Sequence, residues 1–147
     1  MRWRFIDRLE AFEAWTSIRG RKTVSLEEYC LLEPLGRKGC CPESLILESC
    51  VQLVRWLAAA SSDFQQSCLL LEARRFAFEH ETNPGDRLAV AATVLDRRTD
   101  TLGVECEARI GGQRCGHGEL VLSLVPLLDL AVEEDTRALW RELYAKA

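Results

Sequence analysis

Residues 42–61 are P-E-S-L-I-L-E-S-C-V-Q-L-V-R-W-L-A-A-A-S. Apolar residues occupy nearly every side of the helix they predict, so that helix belongs inside the protein rather than on its surface. Pro42 suits the first helical turn, where a missing N–H costs nothing. Ser44, Glu48, Gln52, Arg55 and Ser62 recur at three- and four-residue steps and draw one narrow polar stripe. About twenty residues make a helix close to 30 Å long, enough to span a small domain. The segments on either side are strand-like, so the expected class is α+β, with an antiparallel sheet wrapped around one long central helix.

Working outward, residues 3–13 (W-R-F-I-D-R-L-E-A-F-E) carry Phe5, Ile6, Leu9 and Phe12 and fit a strand, a short helix, or one leading into the other. Trp15 to Ser25 reads as an outer strand, with Gly20 as a candidate irregularity. Residues 26–41 hold Pro34, Gly36 and Gly39 beside Arg37 and Lys38, and are expected to be a loop delivering the chain to the helix. Beyond the helix, Ser61-Ser62-Asp63 breaks the pattern, Cys68–Phe78 reads as a strand, and T-N-P-G-D at 82–86 as a turn. Leu88–Leu95 is a short strand closed by a turn at Asp96–Asp100. Then Leu102, Val104, Cys106, Ala108 and Ile110 alternate with Gly103, Glu105, Glu107 and Arg109, as a half-buried strand requires. Gly111-Gly112 reads as a two-residue hairpin turn, and Gln113–Val125 as the returning strand. From Glu133 onward, Leu139, Trp140, Leu143 and Tyr144 share one face and predict a terminal amphipathic helix capped at Asp135 or Thr136. The expected division is a main domain over 1–130 and a helical extension over 131–147.

A chain of 147 residues with 48% hydrophobic and 29% charged residues predicts one globular domain. Its net charge of -4 argues against a general nucleic-acid binder. Charges occupy the amino-terminal M-R-W-R-F-I-D-R-L-E where a signal peptide needs its apolar run, and Glu48 and Arg55 interrupt the longest apolar segment. A cytoplasmic protein without a membrane partner is therefore expected. The seven cysteines form no C-x-x-C and their number is odd, so small buried thiols are expected rather than a disulfide framework or a metal site. Cys40-Cys41, just before the helix, offers reactive thiols as the alternative. No cofactor is predicted.

Four local patterns, in order, carry a family resemblance over roughly residues 3–125. R-F-I-D-R-L at 4–9 is similar to L-L-V-D-R-V, and P-E-S-L-I-L-E-S-C-V-Q at 42–52 is similar to P-G-V-L-I-L-E-A-x-A-Q. P-G-D at 84–86 matches directly, and the Gly112 hairpin with its final strand resembles V-D-G-K. The sequence thus resembles the 3-hydroxyacyl-[acyl-carrier-protein] dehydratases of the FabZ and FabA kind, which implies a hot-dog fold and an acyl thioester on an acyl carrier protein. In that family a loop His removes the proton α to the thioester, and a Glu or Asp on the central helix protonates the departing hydroxyl. Glu48 occupies the acid's position, whereas the base position falls on Pro34, followed by Leu35 and Gly36, with no His anywhere on this loop. Gln52, Cys41 and Leu35 are the implied pocket residues. His80 and His117 lie in the later strand region and are expected to be surface or satisfied groups.

The resemblance also implies a homodimer, or a heterodimer with another hot-dog subunit, because the sheet edge pairs with a second copy and the pockets lie at that junction. Acyl carrier proteins are acidic, so Arg37, Lys38, Arg74 and Arg75, with Arg97 and Arg98, are the candidate docking charges. Read without the family, Glu48 is better taken as a structural group bonded to Gln52 or paired with Arg55; the resemblance is what places it at the acid position. Three functional readings stay open: a dehydratase-like protein of fatty-acid or polyketide-type synthesis that has lost its base and either binds an acyl chain on a carrier protein or pairs with a catalytic partner subunit; an active dehydratase or thioesterase using Glu48; and a purely structural subunit.

Overall fold

The computed structural model describes residues 4–25 and 42–144. In chain order these form β1 (Arg8–Glu13), β2 (Ser17–Thr23), α1 (Glu43–Ser61), β3 (Gln66–Phe78), β4 (Arg87–Arg97), β5 (Thr101–Ile110), β6 (Gln113–Pro126), a 3-10 turn (Leu127–Asp129) and α2 (Glu133–Tyr144). The strands make one six-stranded sheet in the order β1-β2-β4-β5-β6-β3, with every neighbouring pair antiparallel. This is the expected α+β hot-dog arrangement. Ile46, Cys50, Leu53, Val54 and Leu57 of α1 are buried in one cluster with Ile18, Leu88, Val90, Leu102, Val104, Leu120 and Leu122 of the sheet. Every second residue of β5 contributes to that cluster, which is why its sequence alternates so regularly.

The helix ends are built differently from one another. Pro42 is not in the first turn: its ψ of 137° makes it the residue before the helix, and its carbonyl accepts the Leu45 N–H at 2.9 Å. At the other end, Ser62 donates its hydroxyl to the Ala58 carbonyl at 2.7 Å and accepts the Gln66 N–H at 2.9 Å. Asp63 and Phe64 then take left-handed φ values of 52° and 60°, which turns the chain back into β3. The Gly111-Gly112 turn has φ values of 55° and 80°, the geometry that a two-residue hairpin demands and that glycine adopts without strain.

Several expectations are corrected. Of the alternatives left open for residues 3–13, the strand is the one formed, over Arg8–Glu13, with no helix before it among the described residues. Strand β2 is not an outer strand, since β1 and β4 flank it and β1 and β3 form the two edges. The irregularity placed at Gly20 lies across from it: β1 slips register between Leu9 and Ala11, opposite Gly20 and Arg19. Gly20 is needed for close approach, because a Cβ there would stand 2.7 Å from the Arg8 carbonyl and 3.1 Å from a Leu53 methyl. Strands β3 and β4 each begin earlier than expected, at Gln66 and Arg87, and β4 runs on to Arg97. The terminal helix starts at Glu133, so Asp135 and Thr136 lie in its first turn and do not cap it. The Val132 carbonyl accepts the Thr136 N–H at 3.0 Å, the first hydrogen bond of the helix, and also the Thr136 hydroxyl at 2.8 Å.

Helix α2 is seated by Trp140, whose ring meets Phe12 edge-on at 5.3 Å and Phe64 at 6.1 Å, lies 6.0 Å from Trp56, and stacks on Tyr144 at 5.1 Å. Such aromatic contacts add about 0.5–1.5 kcal/mol each beyond area burial. Arg137 fastens the same helix, pairing with Asp63 at 3.0 Å and Glu133 at 2.8 Å while its guanidinium lies 4.7 Å from the Phe64 ring centroid. No helix among the described residues is long and apolar enough to cross a membrane.

Cys50, Cys68, Cys106 and Cys115 are free and buried, as small hydrophobes in the core. Burial pushes the Cys68 thiol up to about 12, against the pull of Arg55. The hydrogen bond with Cys50, together with burial, pushes Cys106 up as well. Cys30, Cys40 and Cys41 lie outside the described residues.

Two outcomes are expected. Gly20→Ala should cost about 1–3 kcal/mol in a urea titration, because the added methyl has the Arg8 backbone on one side and Leu53 on the other; an unchanged midpoint would refute this account of the β1–β2 irregularity. Peptide mapping after iodoacetamide treatment at pH 8 should find Cys50, Cys68, Cys106 and Cys115 unmodified in the folded protein and modified after denaturation, since only the thiolate reacts and burial suppresses it.

Candidate active site

The polar stripe of α1 is where the helix leaves the core. Ile46, Ser49, Cys50, Leu53 and Leu57 are buried, whereas Glu48, Gln52 and Arg55 are only partly covered. These three side chains open onto a groove of about 1380 Å³ whose walls are the amino-terminal segment Arg4–Ile6, the start of β3, the turn 127–132 and α2.

Gln52 organises the polar end of this groove. Its carbonyl oxygen accepts the Phe5 N–H at 2.9 Å, and that bond fixes the amide so that its Nε2 donates to Glu48 Oε1 at 3.2 Å. Arg55 sits one turn further on, with Nη1 3.9 Å from the same Glu48 oxygen and Nε donating to the Cys68 carbonyl at 3.2 Å. Arg55 therefore ties the helix to β3 while its positive charge lies beside the carboxylate. The Glu48 side chain keeps 36% of its exposure, so it is reachable from the groove. Both the Gln52 bond and the Arg55 pairing considered for Glu48 are present, and the carboxylate still faces open space.

Of the other expected site residues, Pro34, Leu35, Cys41, Arg37 and Lys38 lie outside the described residues. Arg74 and Arg75 lie on the β3 edge, where Arg74 pairs with Glu72 at 2.9 Å and stands in register with Glu119. Arg97 and Arg98 lie on β4 and the turn after it: Arg97 covers the Trp15 ring at 3.9 Å and Arg98 pairs with Asp96 at 3.1 Å. In the sheet, β6 and β5 separate β3 from β4, about 14 Å across, so the two arginine pairs do not form one patch. His80 is exposed. His117, on β6, bonds Glu79 at 2.7 Å, and Arg114 joins the same carboxylate at 3.1 Å. Burial pushes Glu79 up, but the hydrogen bonds from Arg114 and His117 outweigh it and hold the carboxyl below its ordinary value. Neither His lines the Glu48 groove.

Sequence reasoning missed two walls of the groove. The Phe5 backbone reaches Gln52 across 47 residues, a contact without a local signature. Leu139 and Leu143 were visible as one apolar face of a terminal helix, but the surface they would cover was not. Among the described residues, no group of three His, Cys, Asp or Glu side chains is placed to hold a metal ion.

No protein-family model matches the chain. Its fold is similar to that of a Streptococcus mutans UA159 protein bound to acetyl-CoA, with a TM-score of 0.66 and 12% identity, covering 81% of this chain and 88% of that one. It is also similar to a thioesterase from Haemophilus influenzae, with a TM-score of 0.62 and 12% identity, covering 83% of this chain and 80% of that one. Identities this low speak only for the fold. In sequence, the chain is 35% identical over 123 residues to the 3-hydroxyacyl-[acyl-carrier-protein] dehydratase FabZ of Sorangium cellulosum (strain So ce56), covering 82% of this chain and 79% of that protein. With that identity sustained over most of both lengths, and with a sheet packed around one central helix, the chain belongs to the FabZ family of 3-hydroxyacyl-[acyl-carrier-protein] dehydratases.

Proposed function

We propose that this protein handles acyl thioesters borne on an acyl carrier protein, in fatty-acid or polyketide-type synthesis, with Glu48 as its acid–base carboxylate and without the usual loop base. One observation carries the reading: the carboxylate at the family's acid position is held by Gln52, neighboured by Arg55, and open to a groove with apolar walls. A purely structural carboxylate would have no need of that opening. The base position falls on Pro34, and a general acid–base group supplies about 10² to 10⁴ in rate, so the chain alone should be slow by about that factor in dehydration.

The missing group is then supplied by a second hot-dog subunit. Strand β3 supports this reading, since it is an edge strand that leaves Leu69, Leu70 and Leu71 exposed at 40%, 37% and 61%. An edge this long and apolar is an aggregation hazard unless another strand covers it. Pairing there would bring the partner beside Arg55, which is bonded to the β3 backbone at Cys68. Carrier-protein docking is assigned to Arg74 and Arg75 with Arg37 and Lys38. The Arg74–Glu72 pair is exposed, and such pairs are worth little, so an acidic partner can displace the glutamate.

A second reading, thioester hydrolysis, is favoured by the donors around Glu48. Gln52 Nε2 and Arg55 Nη1 both address Oε1 and leave Oε2 to accept a proton from water.

Hydration of a crotonyl thioester and hydrolysis of acyl thioesters by the wild type, Glu48→Gln, Pro34→His and the double variant separate these readings. A weak gain of hydratase activity in Pro34→His that vanishes with Glu48→Gln supports the dehydratase lineage. Hydrolysis by the wild type that falls at least about 10²-fold in Glu48→Gln supports the thioesterase. Wild-type hydration at the full rate of a dehydratase would mean that a residue elsewhere in the chain has replaced the base missing at position 34. Sedimentation should show at least a dimer at micromolar concentration, alone or with the partner subunit, and Leu71→Glu on the β3 edge should shift it to monomer; an unaffected assembly would rule this edge out as the interface.

A further inference from the structure

Lysine is almost never fully buried unless specific contacts hold it, and Lys22 is 2% exposed. It lies on the core-facing side of β2, in line with the buried Ile18 and Gly20. Its ammonium stands 4.9 Å from the centroid of the Phe5 ring. Phe5 is the residue whose N–H is accepted by Gln52, and the Gln52 amide in turn donates to Glu48. We propose that Lys22 is a positioning residue for Glu48: through the Phe5 ring it fixes the segment whose N–H orients the Gln52 amide, and with it the carboxylate. The proposal rests on the acid–base reading of Glu48 above and deepens it.

Residues 4–7 precede the first strand, so no ladder of their own holds them. Strand β2 does so instead. The Asp7 N–H donates to the Arg21 carbonyl at 2.9 Å, and the Asp7 carboxylate accepts the Thr23 N–H at 2.6 Å. These two bonds set the path of the segment but not the roll of Phe5, two residues earlier. Lys22, between Arg21 and Thr23, reaches the ring itself. A cation is drawn to the face of an aromatic ring, more strongly where water is excluded, and both side chains are buried. The strand that carries the ammonium is itself set against the helix, since Gly20 lies close to Leu53 of α1. The roll of Phe5 matters because the two ends of a primary amide are opposite in kind, one a carbonyl acceptor and the other an NH2 donor. While the Phe5 N–H occupies the carbonyl end, Nε2 faces Glu48 and donates at 3.2 Å. Turned over, the amide would set its oxygen against the carboxylate and repel it. An apolar side chain at position 22 would keep the core filled, but it would not hold the ring by its face.

The test uses the full chain with Lys22→Leu, which keeps an apolar stem and removes the ammonium, and with Phe5→Leu, which removes the ring and serves if the first variant does not fold. The first readout is independent of turnover. In amide NMR spectra each substitution should speed hydrogen exchange at the Phe5 N–H by at least about tenfold more than at the core amides of β5, and should shift the Gln52 side-chain resonances. A general loss of stability would speed both sets of amides alike. The second readout is turnover of crotonyl and acyl thioesters. Lys22→Leu should lower kcat about tenfold with KM changed by less than about twofold, and should lower it no further in a Glu48→Gln background. Unchanged Phe5 exchange and Gln52 resonances in both variants overturn the inference. So does an equal loss of kcat in the Glu48→Gln background, which would make Lys22 a stabilising residue only. Absence of thioester turnover in the wild type, with the exchange and resonance changes as expected, would instead remove the reading on which the inference rests and leave the link from Lys22 to Glu48 standing.

Discussion

Burial of α1 by a single sheet is the constraint on which the other features depend. Nine of its nineteen residues are buried, which leaves room for only one polar stripe, and the sheet must supply small residues wherever it comes close to the helix. Gly20 faces Leu53, and a Cβ at Gly116 would stand 3.3 Å from an Ile46 methyl. Close packing of this kind tolerates few voids and few bulky replacements. It also dictates where chemistry can occur: a charged side chain on α1 has to emerge at the stripe, and Glu48, Gln52 and Arg55 do so together.

The fold was legible wherever one face of an element is buried and the other is not. Strand β5 alternates because Leu102, Val104, Cys106 and Ala108 point into the core. Residues 8–13 resisted assignment because Leu9 and Phe12, three residues apart, fit a helical spacing and break strict strand alternation; the register slip between Leu9 and Ala11 lets both pack on the core from a strand paired with β2. The start of α2 at Glu133 was legible, but its cap was sought at Asp135 and Thr136, which lie inside the acidic first turn that Glu133, Glu134 and Asp135 form.

For the candidate site, the Glu48–Gln52 contact could be anticipated from four-residue spacing. Arg55 could not be fully placed, because half of its bonding goes to the Cys68 carbonyl on the next element. The reach of Phe5 to Gln52 depends on tertiary structure alone. A terminal helix read as an appendage proves to be a wall of the groove, since Leu139 and Leu143 line the same space as Glu48. The family match spans most of the chain, 82% of its length.

The edge strand β3 carries two interruptions, one between Leu70 and Glu72 and one between Arg74 and Ala77, the second including Arg75 at φ 51°. Each adds local twist and removes a residue from the regular ladder. An incoming strand therefore meets short regular stretches separated by fixed offsets, like a key blank with notches already cut. Straight, uninterrupted edges of unrelated proteins fit it poorly, while a strand with complementary offsets can dock along its whole length. The same irregularity that protects an apolar edge from promiscuous pairing thus restricts which strands could pair with it.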